Sequence, residues 1–383
     1  MNAQTTFAES TTVLPLEKQH LKALDGVRGL AVLMVILWHA MESNFLTASP
    51  LIKVIGMTLY VGRLGVDLFF VLSGFLITGI LIDTRGDSGY FRRFLARRAL
   101  RIFPLYYGVL FVLMALTIPL HLKWNGMLPL LLLYLQNLRP YAIDHLYLSP
   151  QIALYHLWSL AVEEQFYIAW VVVVYWLRGG EKLIWGTAAG IVLAIAIRTM
   201  LLANGVEWIL IHVSTPTRAD TLLMGSALAI AFRSASWKRL QSIAPFAFVA
   251  LLPAVLLPKD IVPAFFPSVR ETMIAGCFAA LIAWSLQPAS APSWIFERRW
   301  LLFLGKYSYG IYILHVFVMG PLNPILRRHL NDWTHSKLAS VVVSAGVCLF
   351  LSILAAYVSF HVYEKRFLRL KRYFAYDRVP AHD

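Results

Sequence analysis

Cysteine is almost absent from this chain, with two in 383 residues. Cys277 and Cys348 both fall inside apolar stretches, so neither a disulfide framework nor a thiolate metal site can be argued from them. Charge is scarce as well. Asp, Glu, Lys and Arg make up 14% of the residues, against about 25% in a water-soluble domain. That deficit is too large for an ordinary water-facing surface. The first twenty residues lack the basic-then-apolar order of a cleaved signal, so the first apolar stretch is expected to direct insertion. There is no G-x-x-x-x-G-K-[ST] phosphate loop, no H-E-x-x-H pair, no Cys/His cluster and no G-x-S-x-G elbow. A nucleotide-hydrolysing, zinc-dependent or α/β-hydrolase reading therefore has no motif behind it, and no metal site is expected.

What is present is hydrocarbon, at 59% hydrophobic residues. It comes in eleven blocks, at about 26–45, 64–82, 102–120, 127–138, 157–177, 183–203, 219–232, 243–257, 271–287, 301–321 and 338–363. Most are long enough to cross the roughly 30 Å hydrocarbon core. They are continuous rather than alternating, which excludes a membrane barrel. No repeat and no long hydrophilic stretch interrupts them. The fold class is all-α, a polytopic transmembrane bundle.

The net charge of +14 is concentrated between the blocks, which fits topology and anionic headgroups rather than nucleic acid. Lys and Arg also count the crossings. If all eleven blocks cross, each side carries 16 of them. If 127–138 does not cross, one side carries 22 and the other 10. The positive-inside rule selects the second arrangement. It gives about ten spans, cytoplasmic termini and an outer excursion over 121–156 with a re-entrant or interfacial helix near 127–138. The organisation is a cytoplasmic tail over 1–23, a membrane domain over 24–367 and a basic cytoplasmic tail over 368–383.

Ionisable groups inside the bilayer are costly and mark function by default. Arg28 and His39 lie eleven residues apart in the first span, about 16 Å along one helix face. His39 either hydrogen-bonds a neighbouring helix or serves as a general base. In the second span, Asp67 balances Arg63 or orients His39, and Gly65, Gly74 and Gly79 permit close helix approach. The loop YFRRFLARRALRIFP carries Arg92, Arg93, Arg97, Arg98 and Arg101 at helical spacings, read as an interfacial anchor or a phosphate clamp. Pro104 is expected to start the third span. In HLWSLAVEEQFY, His156, Ser159 and Glu163 share one face, with Glu164 beside them. Arg218 and Asp220 pair with each other or with the Glu163 group. Ser308, Tyr309, Tyr312 and His315 form a polar stripe in GKYSYGIYILH, and Glu364 sits among basic residues at an inner edge.

Taken in order, these segments resemble the acyltransferase-3 family of membrane O-acyltransferases. LDGVRGLAVLMVILWHA resembles its opening motif, a basic residue, ten residues, then His. VDLFFVLSGFLIT, RRALRIFPLYY, HLWSLAVEEQFY, TRADTLLMG and GKYSYGIYILH resemble its later signatures, and the match runs from about Leu24 to Phe367. The resemblance implies an acyl-coenzyme A donor, most simply acetyl-CoA, no permanently bound cofactor, and an acceptor hydroxyl on surface or exported carbohydrate. It implies a multi-pass protein of the bacterial inner membrane, in contact with the lipid bilayer and with polysaccharide-biosynthesis proteins. Some relatives carry an esterase-like domain after the last span. Such a domain is expected to be absent here, so an acyl relay would need a separate polypeptide.

The expected roles follow. Arg28, Arg98 and Arg101 hold the donor phosphates. His39 is the base or is itself acylated, and Glu163 and Asp67 hold its imidazolium. His156, Ser159, Glu164, Arg218 and Asp220 contact the acceptor. The alternative class is a transporter for a lipid-linked sugar or organic anion, which also places charge in a membrane cavity.

Overall fold

A computed structural model describes residues 21–41, 61–138, 146–178, 180–256 and 266–376. Most of the two tails read from the sequence, 1–20 and 377–383, lies outside the described residues. Among the described residues, ten helices of 18 residues or more dominate: α1 (Lys22–Met41), α2 (Gly65–Asp83), α3 (Tyr90–Ala115), α5 (Trp158–Leu177), α6 (Gly180–Ala203), α8 (Thr215–Phe232), α9 (Trp237–Leu256), α10 (Phe266–Ser285), α12 (Arg299–Thr334) and α13 (Lys337–Ser359). Eight are long and apolar enough to cross a membrane. The other two, α8 and α10, carry the charged pairs Arg218/Asp220 and Arg270/Glu271, which lower their hydropathy. Short helices α4 (Leu128–Leu132), α7 (Trp208–Val213) and α11 (Ala291–Phe296) connect them. The protein is a multi-pass helical membrane protein.

Helix starts follow local chemistry. The Ser290 hydroxyl accepts from the Ser293 amide at 3.2 Å ahead of α11, and Ser336 does the same for Ala339 at 3.3 Å ahead of α13. Large side chains such as Phe111, Trp176, Trp185 and Phe246 lie more than 70% exposed around the bundle. That surface suits hydrocarbon and not water. Inside lipid there is no hydrophobic drive for one helix to seek another, so close packing must supply the cohesion. Two glycine crossings do so. A Cβ on Gly305 of α12 would stand 1.9 Å from the Asp25 carbonyl oxygen, and one on Gly29 of α1 would stand 2.1 Å from that of Leu301. Gly74 of α2 and Gly225 of α8 meet the Leu222 and Val71 carbonyls equally closely, at 1.9 Å each. These crossings pin α1 to α12 and α2 to α8. Gly65 also packs against α1, as its sequence suggests, with a Cβ position 2.4 Å from the Ala31 carbonyl oxygen.

The structure departs from expectation in three places. The helix anticipated near 127–138 is only five residues long. The chain beyond it turns through Tyr134 at φ 55°. Its freed backbone groups are taken by neighbours: Tyr106 and Tyr107 donate to the Leu131 and Leu132 carbonyls, both at 2.8 Å. Gln136 and Asn137 in turn donate to the Leu157 and Val213 carbonyls. The all-α reading also misses a two-stranded antiparallel hairpin, β1 (Tyr147–Ser149) and β2 (Ile152–Ala153), folded about Pro150 and Gln151. Pro104 does not start a helix but lies inside α3. Its missing N–H costs one backbone bond. Tyr309 and Tyr363 donate to the carbonyls of Ile102 (2.5 Å) and Pro104 (3.1 Å) at that level.

Candidate functional site

Helix α1 runs past two cavities, and a narrow pocket, the neck, lies along the helix between them. The first encloses about 260 Å³ and is lined by Arg28, Arg98, Arg101 and Lys371 together with Ser73, Glu163, Tyr167 and Ser308. The second encloses about 490 Å³ and is lined by His39, Tyr147, Gln151, Tyr155, Asn323 and Arg327. The neck holds only about 30 Å³, between Val32 and Val35 of α1, Val66 and Phe69 of α2, and Ser159, Glu163, Tyr309 and Tyr312. That is room for a water or two. Phe69, Glu163, Ser308 and Tyr309 belong to both the neck and the arginine cavity.

The arginine cavity gathers all three residues expected to hold phosphate. Arg28 is paired with Asp25 at 2.6 Å. The Nε of Arg98 is buried with no hydrogen-bond partner, an orphan donor beside an open cavity. The remaining arginines of the same helix are used otherwise. Arg93 pairs with Asp87 at 2.5 Å, Arg92 is exposed, and Arg97 reaches the C-terminal segment. The five arginines are thus divided along one helix, with Arg98 and Arg101 on the face that lines the cavity.

At the other end, His39 is held by two contacts from Nδ1, to the Val35 carbonyl at 2.9 Å and to Nε2 of His315 at 3.3 Å. Nδ1 of His315 in turn meets the Tyr312 carbonyl at 2.8 Å. A carbonyl can only accept, so both Nδ1 atoms carry their protons. Nε2 of His315 is then an acceptor, and the Nδ1–H of His39 is shared between it and Val35. The lone pair of His39 is left on Nε2, which is the arrangement a proton acceptor needs. His156 packs edge-on against His315, with ring centroids 5.4 Å apart. Its carbonyl accepts from the Tyr312 hydroxyl, which also bonds Ser159 Oγ; both distances are 2.6 Å. Among the described residues, no group of three or more His, Cys, Asp or Glu is arranged to hold a metal ion.

The end of α1 is fastened by α12. Asn323 Nδ2 donates to the Ala40 carbonyl at 3.2 Å, and Arg327 donates to the same oxygen. A helix leaves its last carbonyls without partners, so these two side chains cap α1 directly beside His39.

Several expected partners sit elsewhere. Glu163 makes no hydrogen bond to His39. It lies in the neck and the arginine cavity, where Tyr167 donates to it at 2.7 Å and Ser73 bonds Tyr167. Asp67 is bonded elsewhere than at His39. It pairs with Arg218, whose other nitrogen reaches Glu271 at 2.9 Å. Asp220 pairs with Arg198 at 2.7 Å, and Thr272 donates to it. Arg198 also donates to the Ser268 and Thr217 carbonyls. Asp67, Arg218 and Asp220 are therefore members of a buried ion network joining α2, α6, α8 and α10, and neither cavity includes them. A charge in low dielectric needs an opposite charge in contact, and the network supplies it. Glu164 lines neither cavity nor the neck, and its Oε1 has no hydrogen-bond partner.

The structure adds His315, Lys371 and Arg327 as neighbours of the residues read from the sequence, and Glu271 as a member of the ion network. His315 was visible only as part of a polar stripe, and Glu271 stands at the edge of an apolar block, where a charge raises no question.

Fold and site define a multi-pass helical membrane protein with an arginine-lined cavity at one end of a helix and a histidine-lined cavity at the other. The profile of the acyltransferase-3 family, described as an acyltransferase domain, matches residues 21–361, and the chain belongs to that family. The chain is 30% identical over 352 residues to the peptidoglycan O-acetyltransferase OatA of Listeria monocytogenes, which covers 82% of this chain and 52% of that protein. It is 30% identical over 380 residues to the putative peptidoglycan O-acetyltransferase YrhL of Bacillus subtilis, covering 91% and 55%. A putative O-acetyltransferase of Staphylococcus aureus is 28% identical over 328 residues, covering 79% and 51%. The chain thus spans about half the length of the curated relatives it matches. No solved structure matches.

Proposed function

We propose that this protein moves an acyl group, most simply acetyl, from acyl-coenzyme A in the cytoplasm to a hydroxyl of a cell-surface carbohydrate. Peptidoglycan is the first acceptor to test, because OatA is named a peptidoglycan O-acetyltransferase and YrhL a putative one. The observation that carries the reading is the pair of cavities strung along α1. Coenzyme A has a phosphate-rich head and a long pantetheine arm. The arginine cavity suits the head. The Arg28–His39 separation, about 16 Å, suits the arm. The arm would pass the neck, which must widen to admit it.

In the proposed reaction, His39 Nε2 takes the proton of the acceptor hydroxyl. The oxygen attacks the thioester carbonyl, the C–S bond breaks, and the coenzyme A thiolate leaves toward the arginine cavity. His315 accepts from the imidazolium formed at His39. Glu163, hydrogen-bonded by Tyr167, lines the path between the two ends.

The reading places about ten spans and both chain ends in or facing the cytoplasm. Lys371 supports it, because it shares a cavity with Arg28. An odd number of crossings would put them on opposite faces.

The test is reconstitution with radiolabelled acetyl-CoA and a glycan acceptor. Wild type should label the glycan, and His39→Ala should bind donor but transfer nothing. Normal transfer by His39→Ala would remove the base role. Uptake of a sugar or anion without covalent label would replace the enzyme reading with transport.

A further inference from the structure

The chain after α13 does not simply run off into solvent. It passes through a π-turn at Phe360–Glu364, a short helix at Lys365–Arg369 and a 3-10 turn at Leu370–Phe374. This limb lies on α3 and is fastened to it twice. Near the π-turn, the Tyr363 hydroxyl donates to the Pro104 carbonyl at 3.1 Å. Farther along, Arg97 reaches two carbonyls of the 3-10 turn, Lys371 at 3.5 Å and Phe374 at 3.4 Å. Its guanidinium also lies 5.0 Å from the ring centre of Tyr376. The carbonyls at the end of a helical turn lack partners and carry partial negative charge. Arg97 caps them. Its position one residue before Arg98 puts it on a different face of α3 from the cavity.

The fastening has a consequence for the neighbouring cavity. Lys371 is the residue of the limb that lines it, beside Arg28, Arg98 and Arg101. The charge there is less than four cations suggest. Arg28 is already paired with Asp25. The Glu364 carboxylate, turned inward by the π-turn and 6% exposed, is close enough to Arg101 to interact electrostatically. A ligand bearing a pyrophosphate and a further phosphate carries about four negative charges at neutral pH, so the three arginines, two of them partly compensated, fall short of it.

We propose that Lys371 is a further donor-phosphate ligand, and that Arg97 is the positioning residue that holds the C-terminal limb so that Lys371 faces the cavity. This rests on the reading of the arginine cavity as the donor site. The limb makes the end of the chain part of the donor mouth rather than a tail.

The test uses the full chain in proteoliposomes, with acetyl-CoA as the varied substrate. Lys371→Ala should raise KM for acetyl-CoA about tenfold with kcat changed less than threefold, the scale of one charge-assisted hydrogen bond. Lys371→Arg should stay near wild type. Arg97→Ala should raise KM by a smaller factor. The Arg97→Ala, Lys371→Ala double variant should match Lys371→Ala alone, because residues acting through one another are not additive. Arg98→Ala is measured alongside. If Arg98→Ala raises KM and Lys371→Ala does not, the proposal is overturned and the donor site stands. If neither changes KM, the donor site itself is wrong. Loss of kcat with KM intact, or fully additive effects, would also overturn it. Should Lys371→Ala fold poorly, the comparison of Lys371→Gln with Lys371→Arg reads the same charge dependence.

Discussion

Replacing His315 tests the arrangement at the reacting end. In the structure, His39 Nδ1–H is shared between a carbonyl and His315 Nε2, which lies 3.3 Å away. When His39 takes up a proton it becomes a cation, and this hydrogen bond becomes charge-assisted, worth about 1.5–3 kcal/mol. His315→Phe removes the acceptor while keeping an aromatic ring in the space. The Val35 carbonyl still accepts from the same proton, so only part of that energy is lost, about 1–2 kcal/mol. At about 1.4 kcal/mol per tenfold, kcat should fall roughly 5- to 30-fold. KM for acetyl-CoA should hardly move, because His315 lines neither the arginine cavity nor the neck. His315→Gln can place a carbonyl oxygen near the lost nitrogen and should recover part of the rate. The assay is transfer of label from acetyl-CoA to glycan by purified protein in proteoliposomes, with His39→Ala as the zero. The reasoning is refuted if His315→Phe transfers at the wild-type rate, or if KM changes and kcat does not.

Two further predictions concern the scaffold. Arg218→Ala leaves Asp67 and Glu271 facing each other without their shared cation; breaking such a buried pair costs about 3–5 kcal/mol, so the yield of monodisperse protein should collapse. Combining Arg218→Met with Asp67→Asn and Glu271→Gln should restore folding, and restored transfer with it would show that the network serves structure; a folded but inactive triple variant would return these residues to the reaction. Gly305→Ala puts a methyl 1.9 Å from the Asp25 carbonyl oxygen, which α1 and α12 can relieve only by separating; the melting temperature should drop and KM for acetyl-CoA should rise through Arg28, whereas an unchanged melting temperature would mean the crossing is slack.

What could be read in the sequence divides along physical lines. Positions fixed by one helix were legible. Arg28 and His39 share a face because eleven residues make close to three whole turns, and the structure finds them lining opposite cavities of one helix. Arg98 and Arg101, three apart, share a face in the same way. The short fourth block was legible as unlike the others from its length and from the sidedness of the basic residues. Pro104 misled, because a proline reads the same in sequence whether it opens a helix, where its missing N–H costs little, or sits within one at the cost of one backbone bond.

Partnership was the part that stayed hidden. A charge inside an apolar block announces that it must be compensated, but the compensation comes from another helix, and nothing local selects which. Asp67 had two plausible partners in Arg63 and His39; Arg63 does interact with it electrostatically, but its contact is Arg218 of α8, brought close by the helix crossing at Gly74 and Gly225. The crossing therefore decides the pairing. Once α2 and α8 are locked within a carbonyl's reach, Asp67 and Arg218 are brought together, and His39 is left to find its partner on α12, where Gly29 and Gly305 have brought the helices equally close. The same two small-residue contacts that hold the bundle together thus separate the ion network from the reacting histidine. That separation is why His315, rather than any carboxylate, stands beside His39.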